Sequence, residues 1–488
     1  MKTNLQRREF IRLSAAGSTM CLAMPGLIGL PDLMKFSLNS RGPKIISPGC
    51  RGSKVKVARI YMGNSQGLWP KPGLNMEDEI RFYESRFAEL SNELSDVDFV
   101  VDELIGSPDE VLQIKDKLSN VDGILVIHLT LETSAVLNEI LSVGKPTMIF
   151  AVPYSGHEWS NFGTLQKQPI GAKMGCILSS DYKQLSFAIK PFRAIHHLRE
   201  AIILNITTNS FSEYALSMNE KFGTQFKQVG LDRVIDAYNS ISDGEAKKET
   251  DKWIKGAAMV VEPSENEIFK SCKLALAFEK LMDDENATVI TADCYGSMYE
   301  PLCKTYAFPC IGFTRLNDMG LGGICESDLP SAMTHILMQG LSGNPGFISD
   351  PTVDESNNTI ILAHCLGSTK MDGPVGSAAP YKIRTIMERQ EGAVAQVEMK
   401  IGQKVTQAML VGTDLIPYFT GDIVGAPVSL EDDRGCRTKI AVRVDGNATT
   451  LWKNWSHGLH RVTCYGDITK ELEHFCRFKE INMVNEAV

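Results

Sequence analysis

Three side chains of the kinds that bind hard divalent cations occur near one another in the sequence. Glu326 stands between a glycine-rich segment and a helix-patterned run over 329–341, and Asp350 follows a short apolar run. His364 ends a second apolar run. The patterns therefore place all three at the ends of predicted elements, where ligands are expected. Carboxylates and imidazole without any C-x-x-C motif favour Mn²⁺, or a similar divalent ion, over structural zinc.

The elements that must position these residues follow two different patterns. Strands alternate with helices in the first two thirds of the chain, which predicts parallel sheets with helices on both faces, and strands dominate afterwards. The predicted fold class is α/β, with two doubly wound α/β domains followed by a β-rich, barrel-like C-terminal domain. With 488 residues, the chain is long enough for three domains. The predicted ranges are a signal at 1–30, a linker or arm at 31–52, α/β domains at 53–165 and 166–344, and the β-rich domain at 345–488.

Single elements in the second half are also predicted. Residues 257–261 are expected to form a strand of the second α/β domain. Residues 393–401 and 405–411 are expected to form one hairpin with 402–404 as its loop, and a helix over 468–475 is expected to close the chain. No G-x-G-x-x-G follows the first predicted strand, so a dinucleotide site is poorly supported.

The N-terminus has the pattern of an export signal. Arg7 and Arg8 begin the run Arg-Arg-Glu-Phe-Ile-Arg, which precedes a weakly apolar segment over 13–30. That combination is typical of a twin-arginine signal, which directs export of a folded protein, and it predicts a periplasmic or otherwise exported protein. Glycines interrupt the segment, so stable membrane insertion is not expected. An ordinary basic N-terminal arm is the alternative.

Composition argues against nucleic acid as a partner. The formal net charge is −9 at pH 7, and no stripe of Lys and Arg is interleaved with aromatic residues. The twelve cysteines follow no repeated spacing, which indicates neither a zinc ribbon nor a disulfide framework. Most of them are expected to be buried as small hydrophobic residues, and at least one thiol is expected to be unpaired unless it bonds another chain.

Two further pairs of residues have alternative interpretations. Asp293 and Cys294 follow a predicted strand over 287–292, so they could line a site at its carboxyl end, or Asp293 could cap a helix. His196 and His197 are neighbours in a helical run and point to different faces of it, which favours surface or packing roles.

Four short motifs resemble segments of the L-fucose and L-arabinose isomerase family. They are Gly-x-x-Cys-Glu-x-Asp-Leu-Pro-x-Ala around Glu326, Pro-x-Phe-x-x-Asp ending at Asp350, Ile-Leu-Ala-His-Cys around His364, and Gly-Leu-His-Arg-Val around His460. The order of two α/β units and a β-rich unit over residues 53–488 also resembles that family. The chain departs from the family in being shorter than a typical fucose isomerase, in having Asp350 where the arabinose enzymes have a second Glu, and in its twin-arginine signal.

The resemblance implies a metal site and a reaction. Glu326, Asp350 and His460 would be metal ligands, and His364 matches a histidine that the arabinose enzymes use as a fourth. His457 is the weaker of two neighbouring candidates, because the matching motif centres on His460. The implied activity is aldose–ketose isomerisation of a monosaccharide, with a divalent metal, above all Mn²⁺, as cofactor. The family also implies a homotrimer or homohexamer.

The residue types suit that chemistry. Moving a proton between adjacent carbons through an enediol requires a base, an acid and a charge that stabilises the enediolate. Glu326 and Asp350 are the candidate proton carriers. Arg315, Lys370 and Arg384 are the substrate-binding candidates, with surface charge as their alternative role. A non-catalytic carbohydrate-binding protein, or a metal-dependent sugar epimerase or lyase, are the alternative functions.

Replacing Arg7 and Arg8 by Lys tests the predicted export signal. Because the export route recognises the arginine pair, the double variant is expected to stay in the cytoplasm with its signal uncleaved, whereas Arg12→Lys should be exported normally. Cell fractionation and mass spectrometry of the N-terminus measure both properties. Unchanged export of the double variant would contradict the twin-arginine interpretation.

Overall fold

The computed structural model describes residues 44–155, 158–210, 212–426 and 434–488. The predicted signal at 1–30 and the larger part of the predicted linker lie outside the described residues. No helix within those ranges combines the length and the apolarity that a membrane crossing requires.

The first sheet is parallel and carries helices on both faces. Its strands are β1 (Val55–Met62), β2 (Val97–Ile105), β3 (Gly123–His128), β4 (Thr147–Ala151) and β5 (Met174–Leu178). Their spatial order is β2-β1-β3-β4-β5. Every residue of β3 and β4 is buried, as expected for central strands of a parallel sheet that is covered on both sides.

The second sheet is also parallel, and it has four strands. The next strands along the chain are β6 (Ile202–Ile206), β7 (Gln225–Val229), β8 (Met259–Val260), β9 (Val289–Ala292) and β10 (Gly322–Cys325). The spatial order is β10-β9-β6-β7, and β8 does not take part. The carboxyl end of β10 therefore lies at an edge of this sheet, where ligands commonly bind in α/β folds.

The C-terminal third of the chain forms a closed barrel. The strands after β10 are β11 (Phe347–Asp354), β12 (Thr359–His364), β13 (Tyr381–Arg384), β14 (Val394–Val397), β15 (Lys404–Ala408), β16 (Leu415–Gly425), β17 (Thr438–Val444), β18 (Arg461–Tyr465) and β19 (Asn482–Asn485). Six of them follow the order β15-β18-β11-β12-β17-β16, and β16 pairs with β15 to close the ring. β19 adds to β16 in parallel. The predicted fold class, with doubly wound α/β parts and a barrel-like C-terminal part, is confirmed.

Helices cover the sheets and connect them to the barrel. They are α1 (Met76–Glu89), α2 (Pro108–Gln113), α3 (Lys115–Ser119), α4 (Ser134–Ser142), α5 (Trp159–Leu165), α6 (Gln184–Phe187), α7 (Lys190–Glu200), α8 (Glu213–Phe222), α9 (Leu231–Ser240), α10 (Asp243–Gly256), α11 (Glu265–Asp284), α12 (Cys310–Asp318), α13 (Leu329–Ser342), α14 (Ala448–Asn454) and α15 (Thr469–Lys479). Helix α13 packs against both α7 and β18. It therefore links the α/β part to the barrel. The predicted domain boundaries at 165 and 344 stay predictions.

A small three-stranded sheet contradicts two of the strand predictions. β13 pairs in antiparallel fashion with β14 and in parallel with β8. The strand predicted over 257–261 is therefore not part of the second parallel sheet. The hairpin predicted over 393–411 is also wrong, because β14 joins this small sheet whereas β15 enters the barrel. A local apolar pattern indicates a strand but not its partner, which depends on distant residues.

Two remaining predictions concern the end of the chain and the cysteines. The predicted closing helix exists as α15, but β19 follows it, so a strand and not a helix closes the chain. Eleven cysteines lie in the described ranges, where none forms a disulfide and nine are buried. The prediction that most cysteines are buried is confirmed for those residues.

A buried ionic cluster joins the first sheet to α7. Asp122 accepts hydrogen bonds from His196 Nδ1 (2.9 Å) and from Arg199, and His196 Nε2 donates to the Ser53 carbonyl (2.8 Å). Burial alone would lower the pKa of His196, but the hydrogen bond to Asp122 and its charge, together with hydrogen bonds to Cys50 and Ser53, raise the pKa to about 10. His196 and His197 are both fully buried, so of the two predicted roles the packing role is confirmed.

Asp122→Asn is expected to lower the free energy of unfolding by about 3–5 kcal/mol near pH ~6, because His196 stays buried without a charged partner. The raised pKa of His196 gives stability that is complete below its unfolded pKa of ~6.5 and is lost as the pH rises toward 10. The pKa of Asp122 is lowered, so its own contribution is lost only in acid. The difference between variant and wild type should therefore shrink from pH ~6 to pH ~9.5.

Denaturant titration at the two pH values measures this difference. Asp98→Asn is the matched control, because its side chain is 55% exposed and pairs only loosely with Lys54. An equal loss of stability at both pH values would show that His196 is not the charged partner.

Candidate functional site

A cavity of about 200 Å³ lies between the carboxyl end of β10 and one end of the barrel. Its polar lining consists of three carboxylates, two imidazoles and five thiols, together with one phenol. These are Glu326, Asp350 and Glu388; His364 and His460; Cys294, Cys310, Cys325, Cys365 and Cys436; and Tyr295. The three ligand candidates Glu326, Asp350 and His364 thus lie in the same cavity as His460, which only the family resemblance indicated.

Strand pairing in the barrel brings three of these residues together. Asp350 belongs to β11, which has β18 on one side and β12 on the other. Ser349 pairs with Arg461, so the residue before β18, His460, lies opposite Asp350. On the other side Asp350 pairs with Ala363, directly before His364. Three adjacent strands therefore deliver one carboxylate and two imidazoles to the same end of the barrel.

Glu326 reaches the cavity from a turn of unusual backbone geometry. Glu326 and Ser327 have φ values of 64° and 53°, in the left-handed region that residues with side chains seldom adopt. The Ser327 amide donates to the Ala292 carbonyl (3.1 Å) and its hydroxyl donates to Asn205 (2.7 Å). These bonds to β9 and β6 hold the turn, and strain of this kind clusters at functional sites.

Three pairs among the four side chains lie 3 to 4 Å apart, and Asp350, His364 and His460 each place one ligand atom within 4.8 Å of the others. His460 Nε2 lies 3.2 Å from Asp350 Oδ1 and 4.0 Å from Glu326 Oε2. His364 Nε2 lies 3.9 Å from Glu326 Oε1. Two ligands that bind one ion at ~2.1 Å are themselves ~3 to 4 Å apart, so these separations suit a shared divalent cation.

Two polar atoms of this group have no hydrogen-bond partner among the described residues. They are Asp350 Oδ1 and His364 Nδ1, and both are buried. His460 approaches Asp350 Oδ1 closely, but the alignment is too poor for a hydrogen bond. Buried polar atoms are nearly always satisfied, so the free carboxylate oxygen fits a cation that would complete its contacts. Two carboxylates and two imidazoles form a suitable donor set for such an ion.

Asp328 orients His460. Its carboxylate caps the N-terminus of α13 by accepting from the Ser331 amide (2.9 Å) and hydroxyl (2.6 Å), and it also accepts from His460 Nδ1 (2.8 Å). The other ring nitrogen, Nε2, therefore faces Asp350 and Glu326, which is the arrangement that outer carboxylates give to metal-binding histidines. Asp before Leu-Pro is a recognisable helix cap. Nothing local in the sequence indicates its second partner, which is 132 residues away.

The pKa values of Glu326 and His460 are raised, whereas the pKa of His364 is lowered. Burial raises the pKa of Glu326, and the Asp350 carboxylate raises it further against the effect of His460. Burial would lower the pKa of His460, but its hydrogen bond to Asp328 and the close Asp350 carboxylate together raise it to about 10. Burial lowers the pKa of His364 to about 4, and the nearby charge of His460 adds to that effect. Because the pKa of His460 is raised, binding of a cation by this imidazole would release the proton from Nε2.

The structure does not bring the three substrate-binding candidates to this cavity. Arg315 forms ion pairs with two glutamates, Arg384 pairs with a third, and Lys370 donates to a backbone carbonyl. None of them is among the described residues that line the cavity. Their role in substrate binding stays a prediction that this geometry does not support. His457 is exposed and does not line the cavity either.

Of the Asp293–Cys294 pair only Cys294 reaches the cavity, and Asp293 caps a turn and not a helix. Cys294 lines the cavity, whereas Asp293 accepts from the Ser297 amide (2.9 Å) and hydroxyl (2.8 Å) and so caps the turn after β9. Glu388 and Cys436 also line the cavity, although no motif in the sequence singles them out. They come from segments after β13 and before β17, and only the tertiary fold brings them there.

No protein-family model matches the chain. Among curated proteins, a sulfoquinovose isomerase from Clostridium sp. (strain MSTE9) is 24% identical over 214 residues. The match covers 41% of this chain and 44% of that relative, so the chain spans less than half the length of the protein it matches. This weak similarity relates the chain to a sugar isomerase, and the narrower L-fucose and L-arabinose isomerase family stays a prediction.

Proposed function

We propose that this protein is a metal-dependent isomerase that interconverts an aldose and a ketose through an enediol. Similarity to a curated sugar isomerase supports the general class of reaction. The observation that carries the proposal is the convergence of Glu326, Asp350, His364 and His460 on one cavity, from three barrel strands and one strained turn. A homotrimer or homohexamer and export in the folded, metal-loaded state complete the proposal.

The four converging residues would hold the cation, with Mn²⁺ as the expected ion. When bound, such an ion polarises the sugar oxygens and stabilises the negative charge of the enediolate. Asp328 would keep His460 in the orientation that ligation needs, because it fixes the tautomer and the ring plane through Nδ1. Asp350 Oδ1, which accepts no hydrogen bond from the described residues, supports the same role for that carboxylate.

Glu326 and Asp350 would also move the proton between the two carbons. Their side chains are 33% and 34% exposed, whereas His364 is 3% exposed, so the two carboxylates are the ligands that a substrate can reach. One carboxylate would remove the proton from one carbon, and the other would support proton transfer to the neighbouring oxygen or carbon.

The size of the cavity favours a small substrate. Its volume of about 200 Å³ is below the ~300–1,000 Å³ typical of sites for larger ligands, and a single sugar ring suits it better than an oligosaccharide. Carboxylate oxygens in the lining can accept hydrogen bonds from sugar hydroxyls. Sulfoquinovose, the sugar named for the relative, belongs among the candidate substrates, together with L-fucose and L-arabinose.

His460→Ala is expected to weaken Mn²⁺ binding by ~10- to 100-fold or more, because it removes a ligand and leaves Asp328 without its partner. Titration calorimetry of the metal-free protein with Mn²⁺ measures the affinity directly. His457→Asn is the matched control, because His457 is exposed, has a φ of 68° that Asn tolerates, and contributes no atom to the cavity lining. If the two variants bind Mn²⁺ equally well, the cation is not held at this end of the barrel.

Glu326→Gln is expected to lower isomerase turnover by at least ~10²-fold, because the amide keeps the shape of the side chain but cannot carry the proton. Nuclear magnetic resonance of candidate sugars in D₂O with Mn²⁺ measures turnover and deuterium uptake at carbon 2. Glu220→Gln, on the exposed face of α8, should behave like wild type. A wild-type protein that binds a sugar but neither converts it nor exchanges deuterium would be a binding protein and would overturn the isomerase proposal.

A further inference from the structure

The cavity also contains a second group of potential ligands, of a different chemical kind. We propose that Cys365, Glu388 and Cys436 form a separate site for a thiophilic cation such as Zn²⁺ or Cd²⁺. The site shares no ligand with the group of Glu326, Asp350, His364 and His460, and it stands whether or not the protein is an isomerase.

The geometry of these three side chains suits one tetrahedral ion. Cys365 Sγ lies 3.5 Å from Glu388 Oε2, and Cys436 Sγ lies 3.2 Å from Glu388 Oε1. Three ligand atoms, one from each residue, lie within 4.8 Å of one another. An ion with bonds of ~2.3 Å to sulfur and ~2.1 Å to oxygen places those atoms ~3.6 Å apart in a tetrahedral site. A bound ion could therefore replace the two thiol protons with little movement of the ligands.

The carboxylate of Glu388 is held in place from outside the group. The Tyr295 hydroxyl donates to Glu388 Oε2 at 3.3 Å, as supporting groups commonly do for metal-binding carboxylates. All three ligands line the cavity, so a fourth position on the ion would face the cavity interior. Three protein ligands with one open position is an arrangement that zinc adopts at reactive sites.

Donor chemistry separates this site from the first. Thiolates select soft or borderline ions, whereas carboxylate and imidazole donors also accept Mn²⁺. Binding requires both thiols to lose their protons to solvent, so uptake of the ion releases two protons. Cys365 directly follows His364, so an ion at the second site would lie in the cavity that the proposed substrate enters.

The test is titration of the full-length, reduced and metal-free protein with Cd²⁺. Cadmium–thiolate bonds absorb in the ultraviolet through charge transfer, so the signal reports sulfur ligands and does not depend on enzyme activity. Wild type is expected to saturate with one Cd²⁺ per chain at this site. Cys365→Ser and Cys436→Ser should each lose about half of that absorption and bind at least ~10-fold more weakly.

Two controls separate this proposal from the proposed function and from general loss of structure. Cys176→Ser should keep the full signal, because Cys176 does not line the cavity. His460→Ala should also keep it, even if Mn²⁺ binding is lost. Circular dichroism checks that each variant is folded. A further variant, Glu388→Gln, keeps both thiols and should weaken Cd²⁺ binding.

Three results would overturn the second site. The first is the absence of cadmium–thiolate absorption in the reduced wild type, and the second is a signal that both Ser variants leave unchanged. The third is a disulfide between Cys365 and Cys436, detected by mass spectrometry, in a protein that does not bind Cd²⁺ once this disulfide has been reduced. Failure of sugar isomerisation with Cd²⁺ binding intact would overturn the proposed function alone.

Discussion

The hydrogen bond between Asp328 and His460 ties the two halves of the site together. Asp328 begins α13, which belongs to the α/β part of the chain, and His460 directly precedes β18 of the barrel. One carboxylate thus fixes the start of a helix and the orientation of an imidazole. The helix in turn packs against α7 and β18, so its position relative to the barrel and the direction of His460 Nε2 are set together. The positions of Asp350 and His364 follow from strand pairing on the same side of the barrel.

The position of Glu326 also depends on hydrogen bonds between different elements, because its backbone is strained. Two consecutive residues with side chains in the left-handed region are unfavourable by ~1–3 kcal/mol each. The turn persists because Ser327 is bonded to two strands of the second sheet and Asp328 is anchored at the helix. A relaxed turn would release Glu326 from its position opposite the two histidines. The surrounding hydrogen bonds therefore maintain a conformation that the local sequence alone would not favour.

The fold class could be predicted from the sequence because alternation of strands and helices, and then strands alone, is a local property. Glu326, Asp350 and His364 could be located as candidates because each borders a recognisable element, and His460 because its motif resembles one in a known family. Partners of strands could not be predicted: β8, β14 and β15 look like ordinary apolar runs, and their pairing depends on residues far away. The role of Asp328 could not be predicted for the same reason: the local sequence indicates a helix cap, but not the contact with the distant His460. Arg315 is near the site in sequence, yet its ion pairs direct it elsewhere.

If both proposed sites bind ions, the choice of metal would depend on both ligand groups in the cavity. Carboxylates and imidazoles bind divalent ions in an order that favours Zn²⁺ over Mn²⁺, so the group of Glu326 and His460 cannot select manganese by affinity alone. A neighbouring pair of thiols attracts zinc more strongly than those donors do, and would therefore compete with them for it. The ion at each proposed site would then depend on which ions the folded chain meets first. Export of an already folded protein would fix that order inside the cell, where metal supply is controlled, and a slowly exchanging site would preserve it afterwards.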